Sequence, residues 1–248
     1  MEIMDVNTKT ATTPGNEDTN TYSAQDVKKR IETSYNVIAP HYLQWSSPSH
    51  EIRLHYLNRL LSHFSSDEPK SVLDLGCGAG IPCTQLLASR LDTHVTGCDI
   101  SSTQLSLAAE RLPANKVNLI QSDMMGLAFP NSSFDAIVAF YSIIHVPRDE
   151  QEMLLARIGK WLKPGGWFLA NFMAEEADAA IQEQWLGEEK GWMFWSGWHP
   201  DQSAEMVRNA GLELSVNECA GTIEKDAIER GIITVPHLWI IAQKPKGE

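Results

Sequence analysis

Val72-Leu73-Asp74-Leu75-Gly76-Cys77-Gly78-Ala79-Gly80 runs from a short apolar strand into a turn built on three alternating glycines. Glycine tolerates the positive φ of a tight turn and lets backbone amides come close to a ligand. The dinucleotide fingerprint G-x-G-x-x-G would need its third glycine at position 81, where the chain has Ile81, and no G-K-[ST] follows to make a Walker phosphate loop. Asp74, two residues before the first glycine, would oppose a pyrophosphate. It suits a ligand that carries an ammonium or sulfonium group.

Downstream of this turn, short apolar runs alternate with helical stretches. Strands are predicted at Ser71–Leu75, Val95–Asp99, Val117–Gln121, Ala136–Phe140 and Trp167–Phe172, with helices over Cys83–Ser89, Thr103–Leu112 and Glu150–Leu162. That alternation predicts an α/β fold with a doubly wound, mostly parallel sheet covered on both faces. Upstream, residues 1–22 are polar and aperiodic, and a disordered tail is expected there. Ser23-Ala-Gln-Asp26 resembles a capping box, and a helix carrying Val27, Ile31 and Tyr35 should bend or end before Pro40. Ile52, Tyr56, Leu57, Leu60, Leu61 and Phe64 predict a second helix over His50–Phe64. After the fifth strand, Glu175–Trp198 reads as irregular and tryptophan-rich. A helix from Pro200 to before Gly211 follows, then strands at Glu213–Glu218 and His237–Gln243, with Cys219–Pro236 unassigned. The organisation expected is a tail (1–22) and one domain (23–248), with a helical cap at 23–66 and a lid at 173–199.

Two more aspartates sit at predicted strand ends. Asp99 ends the second strand, 19 residues after Gly80, where an acid can accept from ribose hydroxyls. Asp123 follows the third strand, placed for an exocyclic amine, with Met124 against a base. Any one of these acids reads equally well as a turn aspartate. Three in register behind a glycine loop, at the carboxyl ends of neighbouring strands, point to a binding crevice.

These residues resemble the class I S-adenosylmethionine-dependent methyltransferase family, small-molecule type, over about residues 25–243. Asp74-Leu-Gly-Cys-Gly-Ala-Gly80 carries the resemblance. Gly97-Cys-Asp-Ile-Ser101, Ser122-Asp-Met124, Phe134-Asp-Ala-Ile-Val-Ala-Phe140 and Leu162-Lys-Pro-Gly-Gly-Trp-Phe-Leu169 support it, as does Ser34-Tyr-Asn-Val-Ile-Ala-Pro-His-Tyr42. The resemblance implies a seven-stranded Rossmann-like sheet with an antiparallel last strand and S-adenosyl-L-methionine as cofactor. It implies the glycine loop for the methionine part, Asp99 for the ribose, and Asp123 with Met124 for the adenine. The candidate cofactor-binding set is Asp74, Gly76, Cys77, Gly78, Gly80, Asp99, Ile100, Gln104, Ser122, Asp123, Met124, Phe140 and Tyr35. Cys77 reads as a small filler in the loop rather than a nucleophile.

Composition narrows the acceptor. Twenty Lys and Arg against 32 Asp and Glu leave a net charge of −12, with no basic cluster for a nucleic-acid backbone. No apolar run reaches the ~20 residues of a membrane span, and no basic segment leads into an apolar core at the N-terminus. Four cysteines without zinc-ligand spacing suggest a reduced cytoplasmic protein without a metal. The fourth strand ends in Phe140-Tyr141, not in the [ND]-P-P-[YF] of base-amine methylating enzymes nor the acidic ligand of metal-dependent catechol enzymes. A small-molecule acceptor, methylated at oxygen or nitrogen, is the expectation. The alternative is a protein that binds the cofactor without methylating, as a regulator or pericyclase-like catalyst. Half of the eight tryptophans (Trp185, Trp192, Trp195, Trp198) fall in the lid segment, and either roof an aromatic or cationic substrate or only pack the lid. Tyr42, Trp192 and Trp195 are the substrate candidates. Tyr141, His145 and His199 are the catalytic ones, histidine being suited to taking a proton from an acceptor hydroxyl near neutral pH. Oligomeric state is not legible.

Overall fold

The computed structural model describes residues 22–64, 69–90, 92–225 and 232–247. The tail expected over 1–22 therefore lies outside the described residues apart from Tyr22. That ring meets Trp192 edge-on at 5.6 Å, under the Arg30 guanidinium at 4.5 Å.

Helix α1 (Ala24–Trp45) starts at the expected capping box, in which Ser23 and Asp26 exchange bonds between side chain and backbone at 3.2 Å. Of the two outcomes expected at Pro40, a bend or an end, the helix does not end there; it runs on to Trp45. Pro40 itself lies on the exposed side of the helix. Ile38 and Ala39 are fully buried, and Trp45 packs edge-on against Trp185 one turn later, so tertiary burial outweighs the proline. Helix α2 (His50–Leu61) buries Tyr56, Leu57, Leu60 and Leu61 against the sheet.

Seven strands form the sheet in the order β3-β2-β1-β4-β5-β9-β8. Strands β1 (Lys70–Leu75), β2 (Thr93–Asp99), β3 (Val117–Gln121), β4 (Phe134–Ala139) and β5 (Leu162–Met173) are parallel. β9 (Ile232–Gln243) runs antiparallel between β5 and β8 (Glu213–Lys225). Successive side chains of a strand face opposite sides, so β4 sends Ala136 and Val138 into one core and Ile137 and Ala139 into the other. The first core holds α2 and α3 (Cys83–Ser89) against the sheet, and the second holds α5 (Arg148–Trp161) and α6 (Pro200–Asn209). Helix α4 (Ser102–Arg111) follows β2. Strand order reverses between β1 and β4, which opens a crevice at their carboxyl ends.

Two stretches depart from expectation. The tryptophan-rich segment is not irregular: β6 (Ala177–Gln182) and β7 (Met193–Gly197) form an antiparallel hairpin. Trp185, Trp192, Met193 and Phe194 bury against Val27, Ile31 and Ile38 of α1, and that packing makes the strands. The unassigned stretch after Glu218 continues β8 and begins β9, with 226–231 outside the described residues. Among the described residues no helix is long and apolar enough to cross a membrane.

Where α5 crosses the end of α6, a Cβ on Gly159 would sit 2.1 Å from the Ala210 carbonyl oxygen. Gly159→Ala should therefore lower stability by about 1–3 kcal/mol despite its better helix propensity. Thermal and denaturant melting read this directly, and an unchanged midpoint would mean that the two helices can part freely.

Candidate active site

The crevice at the reversal point is a cavity of about 900 Å³ including its mouth, walled by the glycine loop, the ends of β2, β3 and β4, and helices α1 and α2. In the loop Gly76 has φ 76°, and a Cβ there would lie 2.4 Å from the Ser142 Cβ, so conformation and space both demand glycine. The Gly76 and Cys77 amides donate to the Cys98 carbonyl at 2.8 and 2.9 Å, stitching the loop to β2. Asp99 then fixes the loop's far side: its two oxygens accept from the Gly78 and Ser101 amides, both at 2.9 Å. Open to the cavity but deep in its wall, this carboxyl is pushed up to about 6 by burial, against the pull of those amides.

Asp74 lies behind the loop. It is 2% exposed, accepts from the Thr84 hydroxyl at 2.6 Å, and is also pushed up to about 6, by burial first and by the charge of Asp99 second. Asp123 accepts from the Met125 amide at 3.0 Å and pairs with Lys28 of α1 at 2.8 Å; Lys28 reaches Glu150 as well, at 2.9 Å. Burial works against the Lys28 charge, yet the two carboxylates outweigh it and hold the ammonium above its ordinary range. Next to Gly78, the buried Gln104 amide has neither Nε2 nor Oε1 partnered. Such a group needs a ligand or water to satisfy it.

The other wall comes from the end of β4. Tyr141 stands at φ 53°, unusual for a bulky residue, with its amide donating to the Asn171 side chain at 2.7 Å. A 3-10 turn, Ile143–His145, then delivers His145. Its Nδ1 lies 2.7 Å from the Phe194 carbonyl on β7, and its Nε2 lies 2.9 Å from the Tyr35 hydroxyl. A carbonyl only accepts, so Nδ1 carries the proton and Nε2 takes the hydrogen bond from Tyr35. Burial pushes the His145 imidazole down to about 4, the Phe194 carbonyl opposing only in part, and burial drives the Tyr35 phenol well above its usual range. Tyr42 meets Tyr35 edge-on at 5.2 Å.

Residues 72–166 match the family model described as a methyltransferase domain. Those residues belong to a methyltransferase domain. The O-methyltransferase rstn1 of Aspergillus nomiae is 31% identical over 134 residues, 50% of this chain and 58% of its own length. The chain spans about half the length of the curated relatives it matches. Among solved structures, the 1,6-didemethyltoxoflavin-N1-methyltransferase of Burkholderia thailandensis, with its substrate and S-adenosylhomocysteine bound, superposes with a TM-score of 0.66. It is 17% identical, over 90% of this chain and 91% of that one. The [4+2]-cyclase SpnF superposes with a TM-score of 0.65 and 18% identity, over 91% and 97%. At such identities the likeness is one of fold.

Within the methyltransferase fold, the cavity gathers Tyr35, Tyr42, Gly76, Cys77, Gly78, Asp99, Ile100, Gln104, Ser122, Asp123, Met124, Phe140, Tyr141 and His145. Five candidates lie elsewhere. Asp74 is beneath the loop, and Gly80 gives its space to Leu112, which would lie 2.5 Å from a Cβ there. His199 caps α6 as its place before Pro200 suggests, but its side chain is 60% exposed and away from the cavity. Trp192 stacks on Phe194, with its amide bonded to Ser34 of α1 at 3.0 Å, which makes it packing between hairpin and helix. Trp195 sits one layer behind the wall, 6.2 Å from the His145 ring. Sequence reasoning missed Lys28 and Arg53, both cavity-lining. Each belongs to an amphipathic helix, where a lone cation reads as solvated, and nothing local marks it otherwise.

Proposed function

We propose that this methyltransferase domain binds S-adenosylmethionine and transfers its methyl group to an oxygen or nitrogen of a small organic molecule, without a metal, in the cytoplasm. One observation carries the reading: a glycine loop clamped by Asp99 and the Asp123 strand end share one cavity with the hydrogen-bonded pair Tyr35 and His145. The residues fit the cofactor. Gln104 has both amide atoms unsatisfied at the loop, and Gly76 leaves no room for a side chain. Asp99 would accept from the ribose hydroxyls, Asp123 and Met124 would hold the adenine, and the loop with Gln104 would take the methionine part. Two buried carboxyls raised to about 6 favour a cationic guest, since a nearby positive charge restores their ionised form.

When bound, the cofactor supplies an electrophilic methyl on a sulfonium. The chain's part is alignment in a dry site and removal of the acceptor's proton. Tyr35, Tyr42, Phe140 and Tyr141 supply the apolar wall, and His145 Nε2, through the Tyr35 hydroxyl, is the proton acceptor for an acceptor hydroxyl. Phe140 and Tyr141 stand where a metal-dependent enzyme would need an acidic ligand. Four free thiols fit a reducing compartment.

A cofactor-binding catalyst that does not methylate is favoured by a different observation. Nε2 of His145 is already engaged by Tyr35, and one structural neighbour carries the name of a cyclase. Calorimetric titration with S-adenosylmethionine and S-adenosylhomocysteine, then incubation with methyl-labelled cofactor and a small-metabolite extract, separates the readings. Binding with label transfer is the expected result. Binding without transfer over a broad panel selects the second reading, and indifference to both nucleosides overturns both.

A further inference from the structure

The Tyr35 hydroxyl can either donate to His145 Nε2 or accept from it, so the direction of that bond is decided at the other ring nitrogen, where Nδ1 faces the Phe194 carbonyl at 2.7 Å. That carbonyl belongs to β7, whose ladder partner among the described residues is β6 and not the seven-stranded sheet. A two-stranded hairpin is marginal alone, so its place against the histidine turn has to be fixed from outside. Packing on α1 seats the aromatic side chains of the hairpin. A second tie lies at the turn itself. Gln151, near the start of α5, is 1% exposed, and its Nε2 bridges the two segments. On the turn it donates to the Val146 carbonyl at 2.9 Å and reaches the Ile143 carbonyl at 3.4 Å. On β7 it donates to the Ser196 hydroxyl at 3.0 Å and the Ser196 carbonyl at 3.1 Å. Ser196, fully buried two residues after Phe194, sends its own hydroxyl proton back to the Val146 carbonyl at 2.7 Å. The Gln151 Oε1 is buried without a partner, a cost that an apolar side chain would not carry. What the glutamine supplies in return is a fixed spacing between the turn that carries His145 and the strand that carries Phe194.

We infer that Gln151 and Ser196 are positioning residues: by tying the turn to β7 they keep the Phe194 carbonyl on His145 Nδ1, which leaves Nε2 as the unprotonated nitrogen that faces the Tyr35 hydroxyl. The inference rests on the proposed role of His145 as proton acceptor, but the tautomer itself is a property of the ligand-free protein. With the tie cut, the ring can carry its proton on Nε2 and donate to the Tyr35 oxygen, and the pair then runs against the direction in which the acceptor's proton has to move. Wild type, Gln151→Met, Ser196→Ala and Ser196→Thr are prepared with isotope-labelled histidine, and nitrogen NMR reads which ring nitrogen is protonated. His145→Gln assigns the signal. Methyl transfer to a hydroxyl acceptor and S-adenosylhomocysteine affinity are measured on the same proteins.

Wild type should show one tautomer, protonated at Nδ1. In Gln151→Met and Ser196→Ala the ring signals should move toward the other tautomer, and kcat should fall roughly 10- to 100-fold at unchanged S-adenosylhomocysteine affinity. Ser196→Thr, which keeps the hydroxyl, should restore the Nδ1 tautomer and most of the turnover; a threonine variant that behaves like the alanine one overturns the part given to that hydroxyl. A wild-type ring protonated at Nε2 overturns the inference, and so do folded variants that keep the wild-type tautomer, whatever their kcat. A tautomer that moves without loss of kcat overturns the catalytic use of the tie. If one of the two variants fails to fold, the other decides; if both fail, the side chains are structural and the inference falls. Should wild type bind neither nucleoside, the cofactor reading fails, and the ring signals of the free protein still decide whether Gln151 and Ser196 set the tautomer.

Discussion

Asp99→Ala should weaken S-adenosylhomocysteine binding by roughly two to four orders of magnitude while leaving the ligand-free protein folded. The carboxylate does two things at once. It fixes the loop through the Gly78 and Ser101 amides, and its remaining lone pairs face the cavity where a ribose diol would donate. Hydrogen bonds to a charged group contribute about 1.5–3 kcal/mol each, and two of them give the stated range. Burial pushes this carboxyl up to about 6, so below that pH the free protein holds a neutral acid that must lose its proton to serve as a full acceptor. Affinity should fall up to about tenfold per pH unit from pH 6 to 5, with a smaller slope in Asp99→Ala. Stability moves the opposite way. A carboxyl raised above its unfolded value binds protons more tightly when folded, so the ligand-free protein loses stability as pH rises through about 4 to 6. Above that window, at pH 7, Asp99→Ala should melt no lower than wild type. Titrations at pH 5, 6 and 7 with parallel melting test both signs, and pH-independent affinity in wild type would remove Asp99 from ligand contact.

The elements that place this acid were legible because their signals are local. Helix α3 over Cys83–Ser89 and strand β3 over Val117–Gln121 have the predicted bounds, since short apolar runs between glycine, proline and acidic turns leave little choice of register. Pro40 shows where local rules lose: the helix break it signals is overruled by Ile38, Ala39 and Trp45 packing outside its own segment. The β6–β7 hairpin was hidden for the same reason, as its indoles become strand residues only against α1. Of the three aspartates read as a set, two line the cavity, because Asp99 ends β2 and Asp123 follows β3, whereas Asp74 lies within β1 beneath the loop. Lys28 and Arg53 could not be read, because a lone cation in a helical stripe reads as solvated, and its place on the cavity wall depends on how the helices pack. His199 errs the other way: its place at a helix start was right, but its side chain is exposed and is not among the residues that line the cavity.

His145→Gln should lower kcat for a hydroxyl acceptor by roughly 10²- to 10³-fold, with S-adenosylhomocysteine affinity nearly unchanged. The Phe194 carbonyl holds the proton on Nδ1, so the basic nitrogen, Nε2, faces Tyr35 and the cavity. Burial keeps the imidazole near 4, so it is neutral and able to accept from pH 5 to 8, and wild-type kcat should show no histidine limb in that range. A base of such low pKa pulls weakly on a proton by itself. Its use lies in the Tyr35 hydroxyl, which can pass its own proton to Nε2 as it takes the acceptor's, so that no phenolate has to persist in a site that disfavours one. If the two side chains act as this relay, Tyr35→Phe should cost about as much as His145→Gln, and the double variant little more, because residues that work as a unit are not additive. If Tyr35 only plugs Nε2, its removal frees the base and turnover holds or rises. Equal, non-additive losses support the relay. A His145→Gln enzyme with wild-type kcat would show instead that alignment in the cavity is the whole of the catalysis.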